Sequence, residues 1–333
     1  MLAATGLVSL ITCETVVMET PASAATSFMV TMYPSPFGRA QAIAGDDTGS
    51  EVHVVAAVLC VGLTTLDVSQ VVAEFPRPGD KVQSLGVHLA PGGPAANAAR
   101  TVAALGHRAV LATSLGGELG PVVRSMLGGV EVRSLGPGGP ALSMVVVRER
   151  DGERTVVSRN ASGFAPESGV DLAGCDVVLV DGHLGPVAVE AARLAKREGV
   201  PVVLDAGSWK PVLDDLLPLV DVAACSAAFP RSAAEVHAYG VPLVLRTGGP
   251  EPVTWSRAGR TGAVPVPAVP VRDTNGAGDV WHGALAVAVA RGVPAEDRAV
   301  EDAVRWANAV AAVRVRNTAW DWVEELERWR DSG

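Results

Sequence analysis

The chain has 333 residues, enough for two average domains or for one large α/β domain carrying an insertion. Its 48% apolar and 19% charged residues exclude a chain disordered throughout. A net charge of -9, with no run of Lys or Arg, argues against a stripe that tracks nucleic-acid phosphates and against docking on an acidic membrane.

Other classes drop out on motifs. Lysine occurs only as Lys81, Lys196 and Lys210, and none of them closes a GxxxxGK[ST] loop, so a Walker A phosphate site is excluded. Neither a GxGxxG after a strand, nor HExxH, nor an HRD catalytic loop is present. The four cysteines, Cys13, Cys60, Cys175 and Cys225, lie far apart without a CxxC pair, as reduced core thiols of a cytoplasmic protein would. No stretch reaches the roughly 18 consecutive apolar residues of a membrane span.

Residues 1–50 carry Pro, Ser, Thr, Ala and Met without a sustained period, and read as a disordered extension or as a start assigned too early, with Met29 and Met32 as candidate starts. A secretory leader is disfavoured because no Lys or Arg precedes Arg39. From residue 51 short apolar runs alternate with amphipathic stretches. Val54 to Val61 reads as a buried strand, Ala95 to Leu105 as a helix ending at Gly106, and Ala109 to Thr113 as the next strand. Val177 to Val180, Val202 to Leu204, Val220 to Ala224 and Leu243 to Leu245 follow, with Val187 to Arg197 as one of the intervening helices. Such continuous Val/Leu strands belong to a parallel sheet covered on both faces.

Two pieces interrupt the alternation. Leu66 to Glu74 with Gln83 to Leu89 is β-rich, and Ser143 to Glu149 with Arg154 to Ser158 forms a hairpin turning at Asp151-Gly152. They predict a small second sheet, a lid over segments 64–90 and 141–160. Ala277 to Arg291 and Asp297 to Val313 read as consecutive helices closing the domain that runs over 51–333.

Three stretches bear chemistry. Asp273-Thr274-Asn275-Gly276-Ala277-Gly278-Asp279 opens an apolar helix. Gly276 and Gly278 let a ligand approach the backbone, and the helix start offers N–H groups to an anion, a phosphate cradle without lysine. Asp279 is either a reactive carboxylate or a plain helix-start acid. Gly92-Gly93-Pro94-Ala95-Ala96-Asn97 opens another helix; Asn97 suits a hydroxylated ligand or a polar helix face. Asp67, after the first strand, is an acceptor for hydroxyls or a turn residue.

In this order, "PGGPAANAARTVAALG" and "VRDTNGAGDVWHGAL" resemble the two signatures of the PfkB/ribokinase family of carbohydrate kinases, over about Val52 to Val315. The resemblance implies a ribokinase-like α/β/α sandwich with a mainly parallel sheet and a β lid, ATP with Mg2+ as donor and a monosaccharide as acceptor. By position Asp279 matches the family's catalytic base and Gly276, Ala277 and Gly278 its anion hole. Asp67, Gly92, Gly93 and Asn97 match sugar-binding positions, and Arg154 a lid residue that reaches substrate or pairs with Glu153. Thr247, Gly248, Gly249 and Asn308 match the ATP site, and Asp273 a position that helps hold a monovalent cation such as K+.

The family's Asn-x-x-Glu is replaced by Ser226-Ala227-Ala228-Phe229, a departure shared with the ketohexokinase-like branch. An ATP-dependent sugar kinase is the leading expectation. The alternatives are a nucleoside or other small-alcohol kinase, and a silent sugar-binding regulator. His183 and His282 read as satisfied polar residues, with a place near the site as the alternative for His282, and Trp320 and Trp322 as packing a terminal helix rather than stacking a base. The lid edge predicts a homodimer, because an exposed strand is paired or covered.

Overall fold

The computed structural model describes residues 29–34, 40–45, 55–159, 169–172, 174–290, 292 and 296–332, in two units, 1–54 and 55–333. In the first unit β1 (Met29–Pro34) pairs antiparallel with β2 (Ala40–Gly45), strands of six residues each and too short to stand out as a period. The rest of the extension expected over 1–50 lies outside the described residues.

The second unit begins with β3 (Ala57–Val61), β4 (Thr65–Val72), β5 (Gly86–Gly92), α1 (Pro94–Ala104) and β6 (Arg108–Thr113). Then come α2 (Gly120–Ser125), β7 (Val130–Ser134), β8 (Ala141–Arg148), β9 (Arg154–Arg159), β10 (Val177–Val180) and α3 (Pro186–Glu198). β11 (Val202–Ala206), α4 (Leu213–Leu216), β12 (Val222–Cys225), α5 (Ala233–Ala238) and β13 (Leu243–Gly248) continue the alternation. It closes on the hairpin β14 (Glu251–Arg257) and β15 (Arg260–Val264), followed by α6 (Ala277–Ala290), α7 (Asp297–Arg316) and α8 (Trp322–Asp331).

The main sheet has nine strands in the order β15-β14-β13-β12-β11-β10-β3-β6-β7, parallel from β13 to β7 and antiparallel at the β14–β15 edge. Its central strands are buried on both sides, so alternate residues feed two cores. Val58 and Cys60 of β3 join the layer under α1, α6, α7 and α8, whereas Leu59 and Val61 join the layer under α3, α4 and α5. The strand order switches at β3, with β10 on one side and β6 on the other, and the carboxyl ends there form the crevice where such sheets take ligands.

The second sheet, in the order β5-β4-β8-β9, is the lid. Its register puts Asp67, Ser69 and His88 on one face, and Val68, Leu89, Val87, Leu142, Met144 and Val157 on the other. The β8–β9 turn falls at Asp151-Gly152, where Gly152 takes φ +70 and Arg148 pairs with Asp151. β7 and the β14–β15 hairpin escape a reading based on continuous apolar runs because they lie at sheet edges and carry polar residues on alternate positions.

Candidate functional site

Helix α6 begins at Ala277, so the loop 273–278 delivers Asp279 in the first helical turn, beside the carboxyl ends of β3, β10 and β11. Gly276 takes φ +72, a conformation costly to any side chain, and a Cβ there would press on Asn97 Nδ2 at 3.1 Å. Its carbonyl accepts from Val280 N at 3.0 Å and closes the first turn. Asn97, on the first turn of α1, donates from Nδ2 to Asp279 Oδ2 at 2.8 Å. This one bond joins the two glycine-rich motifs across 182 residues of sequence.

Gly93 is the N-cap of α1 at φ +91, and a Cβ there would strike Leu63 O at 2.5 Å. Gly92 lies directly under Asp67, whose Oδ2 would be 2.1 Å from an added Cβ. Thr65 Oγ1 donates to Asp67 Oδ1 at 2.6 Å, fixing the carboxylate while Oδ2 keeps its acceptor capacity. Burial raises the Asp67 pKa, opposed by the Thr65 bond and by Arg100. Asp67, Ser69, His88, Asn97, Asn275 and Trp320 line one pocket between the lid and the end of α7.

Asp279 is half-buried, and loss of water around it, with the nearby Asp205 charge, pushes its pKa up to about 6. Asn97 and His282 act in the opposite sense. His282 is buried one turn further along α6 with Nδ1 3.1 Å from Asp205 Oδ2, close enough for an ion pair though off the line of a ring N–H bond. Burial opposes charge on both partners, yet attraction prevails: Asp205 is held below the ordinary carboxylate range and His282 above the imidazole range. Asp181 has another task. It accepts Leu63 N at 2.7 Å and His183 N at 2.8 Å, pinning the ends of β3 and β10 under Gly62, where a Cβ would meet its carboxylate at 2.2 Å.

Other expected residues fall where the sequence does not place them. Arg154 pairs with neither Glu153 nor an open pocket wall; its Nη1 reaches Asp273 Oδ1 at 3.3 Å, latching β9 of the lid to the loop, while Glu153 pairs with Arg148. Asn308 is buried in the core, accepting from Trp281 Nε1 at 2.8 Å and donating to Pro265 O at 3.1 Å. Both ends of its amide are therefore engaged between α6 and its neighbours. Thr247 and Gly248 end β13, and Gly249 turns at φ +64 into β14, so these three stay at the carboxyl edge. Phe229, in place of the family's Glu, is a buried core residue.

Several residues of the site carry no motif. Asp181 and Asp205 are signalled only by their place just after, or at the end of, an apolar strand. Trp320 stacks on His88 of the lid, with centroids 3.8 Å apart and planes 7° from parallel. Trp322 packs in the core beneath Arg100, whose carbon lies 4.8 Å from the ring. The segment before α8 is thus a pocket wall as well as packing for a terminal helix. Among the described residues no group of three or more His, Cys, Asp or Glu gathers to hold a metal ion.

A crevice of this geometry has relatives. The chain is 24% identical to the ribokinase of Haemophilus influenzae over 268 residues, covering 72% of this chain and 86% of that one. It is 24% identical to the ribokinase of Bacillus subtilis, covering 78% and 92%. The structure of Arabidopsis thaliana ribokinase complexed with ribose and ATP superposes with a TM-score of 0.69 at 23% identity, covering 83% of this chain and 99% of that one. That likeness shows a ribokinase-like fold. The ketohexokinase-like branch is not singled out by these relatives. Residues 55–320 match the pfkB family carbohydrate kinase pattern, from before β3 to the wall of the pocket at Trp320, so this chain belongs to the pfkB family of carbohydrate kinases, phosphotransferases acting on sugar hydroxyls.

Proposed function

We propose that the chain transfers the γ-phosphoryl group of ATP to a hydroxyl of a monosaccharide, with Asp279 as the base. The observation that carries this reading is the Asn97–Asp279 bond, which brings a hydroxyl-binding helix start and an anion-binding helix start to the two sides of one carboxylate. The acceptor hydroxyl, oriented by Asp67 and Asn97, gives its proton to Asp279 as its oxygen bonds to the γ-phosphorus and ADP leaves. The backbone amides of Gly276, Ala277 and Gly278, at the positive end of α6, offset the charge that builds on the transferred group. Thr247, Gly248 and Gly249, at the carboxyl edge of β13, are assigned to ATP. The solved Arabidopsis ribokinase with ribose and ATP, and a fructokinase from Xylella fastidiosa with bound ATP at a TM-score of 0.61, support a sugar and ATP as the ligands.

Magnesium fits this site as the companion of the ATP phosphates rather than as a resident of a protein cage. The ion would offset phosphate charge, whereas Asp205 is already paired with His282 and is not assigned to it. Among the described residues no helix is long and apolar enough to cross a membrane. Cys60, Cys175 and Cys225 are free and buried, which supports a reducing, cytoplasmic setting.

The lid supports a homodimer. Its face away from the pocket carries Val87 (59% exposed), Leu89 (48%) and Val157 (71%), an apolar row that a second lid would cover. ADP release measured with a panel of ketoses, aldoses and nucleosides tests the whole reading. Release with one or more sugars supports it, release with nucleosides alone reassigns the acceptor, and binding without release makes the chain a regulator.

A further inference from the structure

The oxygens gathered behind the anion-hole loop already hold a cation, and it belongs to the chain. Arg314, in the last turn of α7, is 2% exposed. Its Nη2 donates to Asp273 Oδ2 at 2.7 Å, and its Nη1 donates to Asp273 O at 3.2 Å and to Asn317 O at 2.8 Å. The other carboxylate oxygen is also taken: Asp273 Oδ1 accepts Asn275 N at 2.9 Å and Arg154 Nη1 at 3.3 Å. The backbone N–H groups of Arg272 and Asp273 both donate to Val315 O, at 2.8 and 3.2 Å. The start of the loop is therefore bound to the carboxyl end of α7, where the helix dipole favours positive charge.

A carboxylate and two backbone carbonyls at a helix end form an oxygen set that suits a weakly hydrated monovalent cation. Here a planar, always charged guanidinium fills it, with fixed donors directed at each oxygen. A second cation on those oxygens would meet the guanidinium at hydrogen-bonding range and be repelled. Asp273 consequently does not fit the role of a K+ ligand that its position in the motif suggests.

We infer that Arg314 is a built-in cation that sets the loop 274–278 for phosphate binding, so that this kinase works without a free monovalent cation. Arg314 is a positioning residue: it acts through Asp273 and Asn317 rather than on the reacting atoms. The inference rests on the kinase reading above, and its test separates the two. A ligand that binds only the folded state raises its melting temperature. At equal ionic strength, wild-type protein in potassium, sodium or tetramethylammonium chloride should therefore melt within about 1 °C, and a potassium-selective rise would overturn the inference whether or not any sugar is turned over.

With an accepted sugar, wild-type ADP release should agree within about twofold across the three salts, whereas activation by potassium of about tenfold or more would overturn it. Arg314→Ala, with its fold checked by circular dichroism, should lose at least about tenfold in kcat in tetramethylammonium and recover part of it in potassium. A variant with wild-type kcat in tetramethylammonium, or a loss that potassium does not relieve, would also contradict the inference. The wild-type measurements stand alone if that variant fails to fold.

Discussion

Asp279 does opposite things for stability and for reactivity. Its folded pKa of about 6 against an ordinary 3.8 means that the folded state disfavours the ionised carboxylate. The sign follows: any contribution to stability is present below the unfolded value and lost as pH rises through 6. Asp279→Asn keeps an oxygen for the Asn97 donor and removes the charge, so at pH 8 it should be more stable than wild type by about 1 to 2 kcal/mol, shrinking to nothing below pH 4. Denaturant melts of both proteins at the two pH values check this; a destabilised variant at pH 8 would refute the raised pKa. The same value sets activity, because a base must be unprotonated to act. kcat/KM should level off above about pH 6 and fall about tenfold per unit below it.

On the proposed reading, Asp67 is the residue through which sugar affinity is expressed. Its Oδ1 is committed to Thr65, so the hydroxyls of a bound sugar would fall to Oδ2, which fills the space that the missing side chain of Gly92 leaves. Charge-assisted bonds are worth about 1.5 to 3 kcal/mol each, so Asp67→Ala should weaken sugar binding at least about tenfold. ATP affinity should stay within about twofold, since the nucleotide is assigned to the far side of the loop. Calorimetric titration of both ligands decides it, and equal losses for the two would point to a damaged fold.

At the scale of elements, the lid has two unlike faces. The pocket face carries Asp67, Ser69 and His88, and it is fastened by the Arg154–Asp273 pair and the His88–Trp320 stack. The opposite face leaves Leu89 and Val157 exposed: β5 alternates between half-buried and exposed residues, and β9 is exposed along its whole length. Wild-type protein should therefore sediment as a dimer and Leu89→Glu/Val157→Glu as a monomer. A wild-type monomer, or a double variant that stays dimeric, would contradict this use of the face.

Such elements differ in how openly the sequence shows them. β10 and α6 are plain because both are apolar and bounded by turn residues, and Val177–Val180 is the strand at the residues expected. The β14–β15 hairpin and β7 are hidden because edge strands bury one face only, and a reading tuned to continuous apolar runs passes over them. α2 and α5, with six residues each, are too short for an apolar stripe to repeat.

For the whole molecule, the doubly covered parallel sheet and the lid were legible because burial on both faces, or on one, writes a different period into each strand. Gly276 and Gly93 were legible because their positive φ restricts the residue type there. What stayed hidden depends on contacts between distant segments. Nothing local marks Arg314 as the partner of Asp273, 41 positions away, or Asn308 as the partner of Trp281. His282 and Asp205 meet only because α6 crosses the end of β11.

The proposed phosphoryl transfer turns on Asp279 as the proton acceptor. Its most direct test is the rate of sugar-dependent ADP release by Asp279→Asn beside wild type, at pH 8 with both substrates saturating. Loss of a positioned base should lower turnover by about 10² to 10⁴. A variant that releases ADP within about threefold of wild type would contradict the account.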